Sequence, residues 1–294
     1  MTQPPPNAAG LRADARRERT LLAALTAPTF LILSALLFLP VGWLFWLSVA
    51  GPEGYTLENY TRIVVEPAYA SVFRTTFELS LLVTALAVLL GYPLTYMLVK
   101  LPPRASAVCM TLVLVPFWTA LLVRTYAWLV LLQRHGVVNS LLLNWGLIDQ
   151  PLALVYNFTG TVIGMLHIMI PFLVLPLYAN MRAIDRDFVR AAASLGASPT
   201  AAFWRVYLPL SMPGLTAGTV MVFVICLGFY VAPQFLGGGR VTTISMKIQQ
   251  NVATYFDWGA ASSLGVVLFV VTLLLFWGVS RLTPLRRLSE GGGA

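Results

Sequence analysis

The sequence predicts an all-α integral membrane protein with six transmembrane helices. Three observations carry that prediction: its hydrophobicity, the length of its apolar runs and the placement of its basic residues. Hydrophobic residues make up 58% of the 294-residue chain and charged residues 10%, with a mean hydropathy of +0.80. A soluble domain carries about 25% charged residues. This chain has too few to cover a water-facing surface of its size.

Six runs are long enough to cross a bilayer. A hydrocarbon core of about 30 Å takes about 20 mostly apolar residues in helical form. The runs fall at 21–49, 73–99, 106–132, 152–180, 211–236 and 259–281. Helix is the expected form because lipid offers backbone N–H and C=O groups no partner. A β-barrel needs short alternating strands, and these runs are continuous. The first run is too long for the apolar part of a signal peptide, and no A-x-A-like site clearly follows it, so it is expected to be retained. The division that results is a tail over 1–20, one membrane domain over 21–285 and a second tail over 286–294.

Basic residues set the expected orientation. Arg12, Arg16, Arg17 and Arg19 precede the first run, and Lys100 and Arg104 follow the second. Arg182, Arg186, Arg190 and Arg205 follow the fourth; Arg281, Arg286 and Arg287 end the chain. These are thirteen of the nineteen Lys and Arg residues. The positive-inside rule then places both termini in the cytoplasm, and an even number of spans agrees. The net charge of +8 is therefore topological. It does not point to nucleic acid, since no basic-aromatic patch or recognition motif accompanies it. Cys109 and Cys226 fall in apolar runs without metal-ligand spacing and read as small core residues. The basic stretch 11–20 reads as a solvated tail, with an interfacial helix as the alternative.

The segment 181–210 is the informative one. Ile184, Phe188 and Ala191–Ala192 recur at helical spacing. Gly196 is placed to stop that helix as a C′ glycine. Ser198 and Pro199 form an N-cap and first-turn pair that starts a second helix. Leu208-Pro209 is expected to end it, because proline has no N–H to continue the ladder. A helix–turn–helix on the cytoplasmic face, joined directly to two spans, presents a surface for a protein partner.

The residues Arg190-Ala191-Ala192, then Gly196 after three more, then Val206-Tyr207-Leu208-Pro209 after nine more, resemble the EAA motif of ABC importer permeases. The resemblance implies the six-helix type I ABC importer permease (MetI-like) bundle, and a coupling role for this segment in a groove of the ATP-binding subunit. The residues it marks for coupling are Asp187, Arg190, Ala191, Ala192, Gly196, Leu208 and Pro209. Arg190 stands where the family has Glu, and Asp187, one turn earlier, is the acid nearest to replace it. Further stretches are similar to the spermidine/putrescine permease subfamily: Leu90-Gly91-Tyr92-Pro93, Pro116-Phe117-Trp118-Thr119, Leu122 to Trp128, Pro171-Phe172 with Leu175 to Tyr178, and Pro233 to Gly238. Together they cover most of residues 70–280. The partners implied are two ATP-binding subunits, a second permease subunit, a periplasmic solute-binding protein and the lipid bilayer of the inner membrane. No cofactor is expected on this chain; ATP belongs to the partner subunits, since no G-x-x-x-x-G-K-[ST] phosphate loop occurs here.

The solute implied is a polyamine or a similar small organic solute. The alternatives are an opine, an amino-acid derivative or an ion. Glu78 is a pathway candidate because intramembrane carboxylates are functional by default, while Arg74, four residues earlier, makes a local ion pair the simpler reading. Trp118, Tyr126, Trp128 and Tyr230 offer aromatic faces to a cation, against the commoner role of aromatics as packing and interface anchors. Arg124 needs a partner or water; Glu78, Asp257 or a position near the outer surface are the options. His167, with no charged neighbour one turn away, reads as a hydrogen-bonded core histidine. A secondary transporter is the more distant rival, but no inverted repeat supports it. No nucleophile, base or metal grouping suggests an enzyme.

Overall fold

Nearly all of the apolar sequence is helical. The computed structural model describes residues 8–51 and 54–282. The tail 286–294 and the proline-rich start of the chain lie outside them. Helix α1 covers Ala8–Val49 and is followed by a two-residue antiparallel ladder of β1 (Ala50–Gly51) with β2 (Gly54–Tyr55). Next come α2 (Glu58–Val65), α3 (Pro67–Lys100), α4 (Pro103–Trp118), α5 (Leu121–Leu131) and α6 (Val137–Asn144). Then follow α7 (Phe158–Ala183), α8 (Arg186–Ser194), α9 (Pro199–Ala202), α10 (Leu208–Leu227), α11 (Val231–Leu236), α12 (Ile244–Ala253) and α13 (Trp258–Leu282). Five helices are long and apolar enough to cross alone, and the spans number six where the bent pair α4–α5 counts as one.

The basic stretch 11–20 is helical: its Ala, Leu, Arg and Glu residues are good helix formers, and α1 begins at Ala8, ahead of the apolar span. Three expectations need correction. The third run is not one straight helix. Thr119 and Ala120 adopt extended backbone, Pro116 withholds an N–H from the preceding turn, and α5 leaves α4 at 100°. The fifth run ends at Leu227, not 236; Gly228 caps α10 and α11 is a separate short helix. Leu208-Pro209 does not end the second helix of the cytoplasmic segment. A π-helical turn at Phe203–Tyr207 joins α9 to α10, the Leu208 N–H reaching back to the Phe203 carbonyl. That one-residue slip of register falls just before Pro209, which has no N–H to place.

The core sits where α7 passes between α3 and α10. In lipid, helices gain little from apolar burial and associate through close packing at small residues. Leu173 of α7 illustrates this. A Cβ on Gly91 of α3 would lie 2.5 Å from Leu173 Cδ2, and one on Gly218 of α10 would lie 3.0 to 3.2 Å from the Leu173 backbone. Met165, Met169, Leu173, Val83, Ala87 and Val222 are fully buried around this crossing. By contrast, α1 packs mainly along α13, with Ser48 near its end accepting from the Tyr60 hydroxyl of α2, and its most apolar stretch buries nothing within the chain.

Candidate functional site

The segment 184–207 joins the end of α7 to the start of α10. Asp185 caps α8, its Oδ1 accepting from the Asp187 N–H at 2.9 Å. Gly196 has φ +83. The Gly196 N–H donates to the Ala193 carbonyl at 2.9 Å and the Ala197 N–H to the Ala192 carbonyl at 3.0 Å. This pair of bonds is the Schellman closure of a helix on a left-handed residue. Ser198 Oγ then accepts from the Ala201 N–H at 3.2 Å, with Pro199 in the first turn. Two caps and one obligatory glycine thus make a stiff corner. Phe188 and Leu195 project from it, 57% and 89% exposed, and Ala191 is exposed beside them. Arg190 Nη1 donates to Asp187 Oδ1 at 3.0 Å.

An aromatic cluster fixes this corner to the membrane helices. Phe203 and Tyr207 of the π-helical turn pack on Tyr96, at 5.3 and 5.2 Å between ring centroids, and Phe203 packs on Tyr92 at 6.2 Å. Lys100 Nζ lies 4.3 Å from the Tyr96 ring centre. Tyr92 Oη and Ser211 Oγ share a hydrogen bond of 3.0 Å, tying α3 to the first turn of α10. Leu208 and Pro209 therefore belong to the shaft that carries the corner, not to the corner itself.

The residues expected along a solute path fall into two groups. Glu78 Oε1 accepts from Arg74 Nε at 2.7 Å on the exposed face of α3. The second group surrounds α5. Trp128 Nε1 donates to His167 Nδ1 at 3.1 Å, bridging α5 and α7. Tyr126 packs on Phe235 of α11, ring centres 5.3 Å apart. Trp118 stands at the α4–α5 bend, 89% exposed. Arg124, one turn before Trp128, comes within electrostatic reach of His167 and bonds neither Glu78 nor Asp257. Asp257 instead pairs with Arg62 at 3.5 Å and caps α13 through the Ala260 N–H. Tyr230 is half-buried at the start of α11, away from the Arg74–Glu78 pair in sequence and in element. Sequence reasoning identified His167 as hydrogen-bonded but did not supply its donor. Both partners are polar atoms in apolar helices with no local partner, and nothing in the spacing links residues 39 apart.

The structure is a helical bundle with several helices long and apolar enough to cross a membrane and an exposed, capped two-helix corner between α7 and α10. Residues 12–288 match the model of the binding-protein-dependent transport system inner membrane component, and the chain belongs to that family. It is 35% identical over 231 residues to the spermidine/putrescine transport system permease protein PotB of Escherichia coli, covering 78% of this chain and 84% of that one. The Haemophilus influenzae PotB is 32% identical over 224 residues, covering 76% and 78%. The molybdenum transport system permease protein ModB of Mycobacterium bovis is 28% identical over 228 residues, covering 77% and 84%. Its fold is also that of a chain from a bacterial alginate ABC transporter crystallised with an alginate-bound periplasmic protein, with a TM-score of 0.70, 18% identity and coverage of 92% and 98%. The chain is therefore an ABC importer permease subunit with the MetI-like fold, a multi-pass protein of the inner membrane.

Proposed function

We propose that this chain forms one half of the translocation pathway for a polyamine of the spermidine/putrescine type, and that residues 184–207 couple it to ATP hydrolysis. The observation that carries the coupling role is the capped, exposed corner at α8–Gly196–α9, continuous with α10 and clamped to α3 by Tyr92, Tyr96, Phe203 and Tyr207. A push on Phe188, Ala191 or Leu195 is transmitted to two spans without an intervening flexible loop. That corner is then cytoplasmic, with both termini on the same side. The partners are two ATP-binding subunits docked on the corner, a second permease subunit beside this chain and a periplasmic solute-binding protein at the opposite end. ATP closure of the ATPase pair moves the two corners together and opens the bundle outward; hydrolysis resets it. This chain binds no cofactor of its own and does not hydrolyse ATP alone. Polyamine specificity is supported by the relatives at 32–35% identity.

The test is co-purification from solubilised membranes, followed by uptake of labelled spermidine and putrescine into vesicles holding the recovered complex. An ATPase and a second permease are expected with the native chain, and ATP-dependent uptake with the binding protein present. A chain that purifies alone and drives uptake from an ion gradient overturns the reading.

A further inference from the structure

Arg124, in the bent apolar pair α4–α5, is a charge without a partner among the described residues. Its Nε is buried with no hydrogen-bond partner, and among the described residues no carboxylate reaches its guanidinium. It sits one turn before Trp128, whose hydrogen-bond partner His167 lies nine residues into α7, about 14 Å from the start of that helix at 1.5 Å per residue. The Trp128–His167 hydrogen bond ties α5 to α7 one turn away. His167 offers no relief, since its Nδ1 already accepts from Trp128 and the other nitrogen of a neutral ring is a donor. The side chain is half-buried, so part of the guanidinium opens on the surface of the chain. An arginine facing lipid at such depth is costly, and in membrane proteins such groups pair or face water.

We propose that Arg124 receives a carboxylate of the second permease subunit, forming an intersubunit ion pair at membrane depth. The inference rests on the importer reading above. A guanidinium presents a planar fork of donors that matches a carboxylate in two parallel bonds. A polyamine solute is cationic and supplies no such group; an unpaired arginine would repel it. Pairing across the subunit interface removes that repulsion and fixes the register of the two permeases.

The test uses the full transporter, co-expressed with its second permease, ATPase and binding protein. Arg124→Glu is expected to lower recovery of the second permease with this chain by at least about tenfold, as breaking a buried ion pair does. Changing one membrane-depth Asp or Glu of the second permease to Arg is expected to restore recovery. Arg124→Lys, which keeps the charge, should recover far more partner than Arg124→Gln. Failure of every charge reversal to restore assembly overturns the proposal, and so does equal loss in the Lys and Gln variants, which marks a packing role. An Arg124→Gln complex that assembles fully and loses only solute affinity also overturns it, by placing the carboxylate on the cargo. If the native chain recovers no second permease, the importer reading falls and this pair with it; if the native chain recovers one and no reversal rescues, only the pair falls.

Discussion

Arg190 donates to Asp187 at 3.0 Å across one turn of α8, so the residue that reverses the charge of the family motif is matched by an acid on its own helix. Both side chains are exposed, and exposed i,i+3 or i,i+4 pairs are worth about 0.3–0.5 kcal/mol. Asp187→Ala and Arg190→Ala are each expected to leave the thermal unfolding of the purified complex almost unchanged. Asp187→Arg sets two like charges one turn apart and cancels the local neutrality of the proposed coupling surface. It is expected to lower solute-stimulated ATP hydrolysis more than either alanine change. An alanine variant that unfolds several degrees earlier would show the pair to be structural.

Gly196 sits at φ +83, and a Cβ there would meet nothing within 4 Å, so backbone strain and not collision decides what the position tolerates. A non-glycine residue in that region costs about 1–2 kcal/mol, with Asn less penalised and β-branched residues most. ATPase co-recovery is expected to fall in the order Gly, Asn, Ala, Val at position 196, while the amount of chain in the membrane stays near constant. Equal co-recovery across the four residues would remove the corner from the coupling role.

The corner is the part of the molecule most legible in the sequence, because caps are local. Gly196, Ser198 and Pro199 each act within four residues of themselves, and each sits where its chemistry predicts. Hydropathy likewise located the five long apolar helices and the bent pair α4–α5, since span length is fixed by bilayer thickness. The failures lie where the chain departs from a uniform helix. Pro209 reads as a terminator, yet a π-helical turn absorbs it; Pro116 reads as a kink, yet two extended residues after it turn the helix by 100°. Neither outcome follows from local propensity, because neighbouring helices supply the contacts that hold the irregular backbone. The Trp128–His167 bond and the isolation of Arg124 are relations between helices, and one sequence without a fold holds no record of them.

Gly91 and Gly218 both press on Leu173, Gly91 on its side chain and Gly218 on side chain and backbone together. A Cβ on Gly91 meets the mobile end of the side chain, Cδ2, at 2.5 Å; on Gly218 it meets Cδ1 and the carbonyl oxygen at 3.0 Å and Cα at 3.2 Å. Overpacking of this kind costs about 1–3 kcal/mol, and Leu173→Ala leaves a cavity costing about 2–5 kcal/mol. Leu173→Ala removes the side-chain atoms that both substitutions strike but leaves the backbone that Gly218→Ala strikes as well. The double variant Gly91→Ala/Leu173→Ala is therefore expected to be more stable than the sum of its singles predicts, and Gly218→Ala/Leu173→Ala to show weaker relief. Denaturant unfolding in detergent reads the difference; equal coupling in the two pairs would contradict the packing described.

The hydrogen bond from Trp128 Nε1 to His167 Nδ1 joins the broken third span to the central helix α7, and its worth is measurable by a cycle. Trp128→Phe leaves a half-buried imidazole nitrogen without its donor, and an orphaned polar group costs about 1–3 kcal/mol. His167→Phe leaves the indole N–H without its acceptor at a similar cost. Removing both partners together leaves no orphan, so the double variant is expected to be less destabilised than the two singles added, with a coupling of about 0.5–3 kcal/mol. The same bond holds α5 against α7 one turn from Arg124. Trp128→Phe is therefore also expected to weaken recovery of the second permease, because the helix that presents the guanidinium is no longer anchored. His167→Gln keeps a side-chain acceptor and should preserve recovery better than His167→Phe. If the cycle shows no coupling and recovery is unchanged in all three singles, the bond contributes neither to stability nor to the interface.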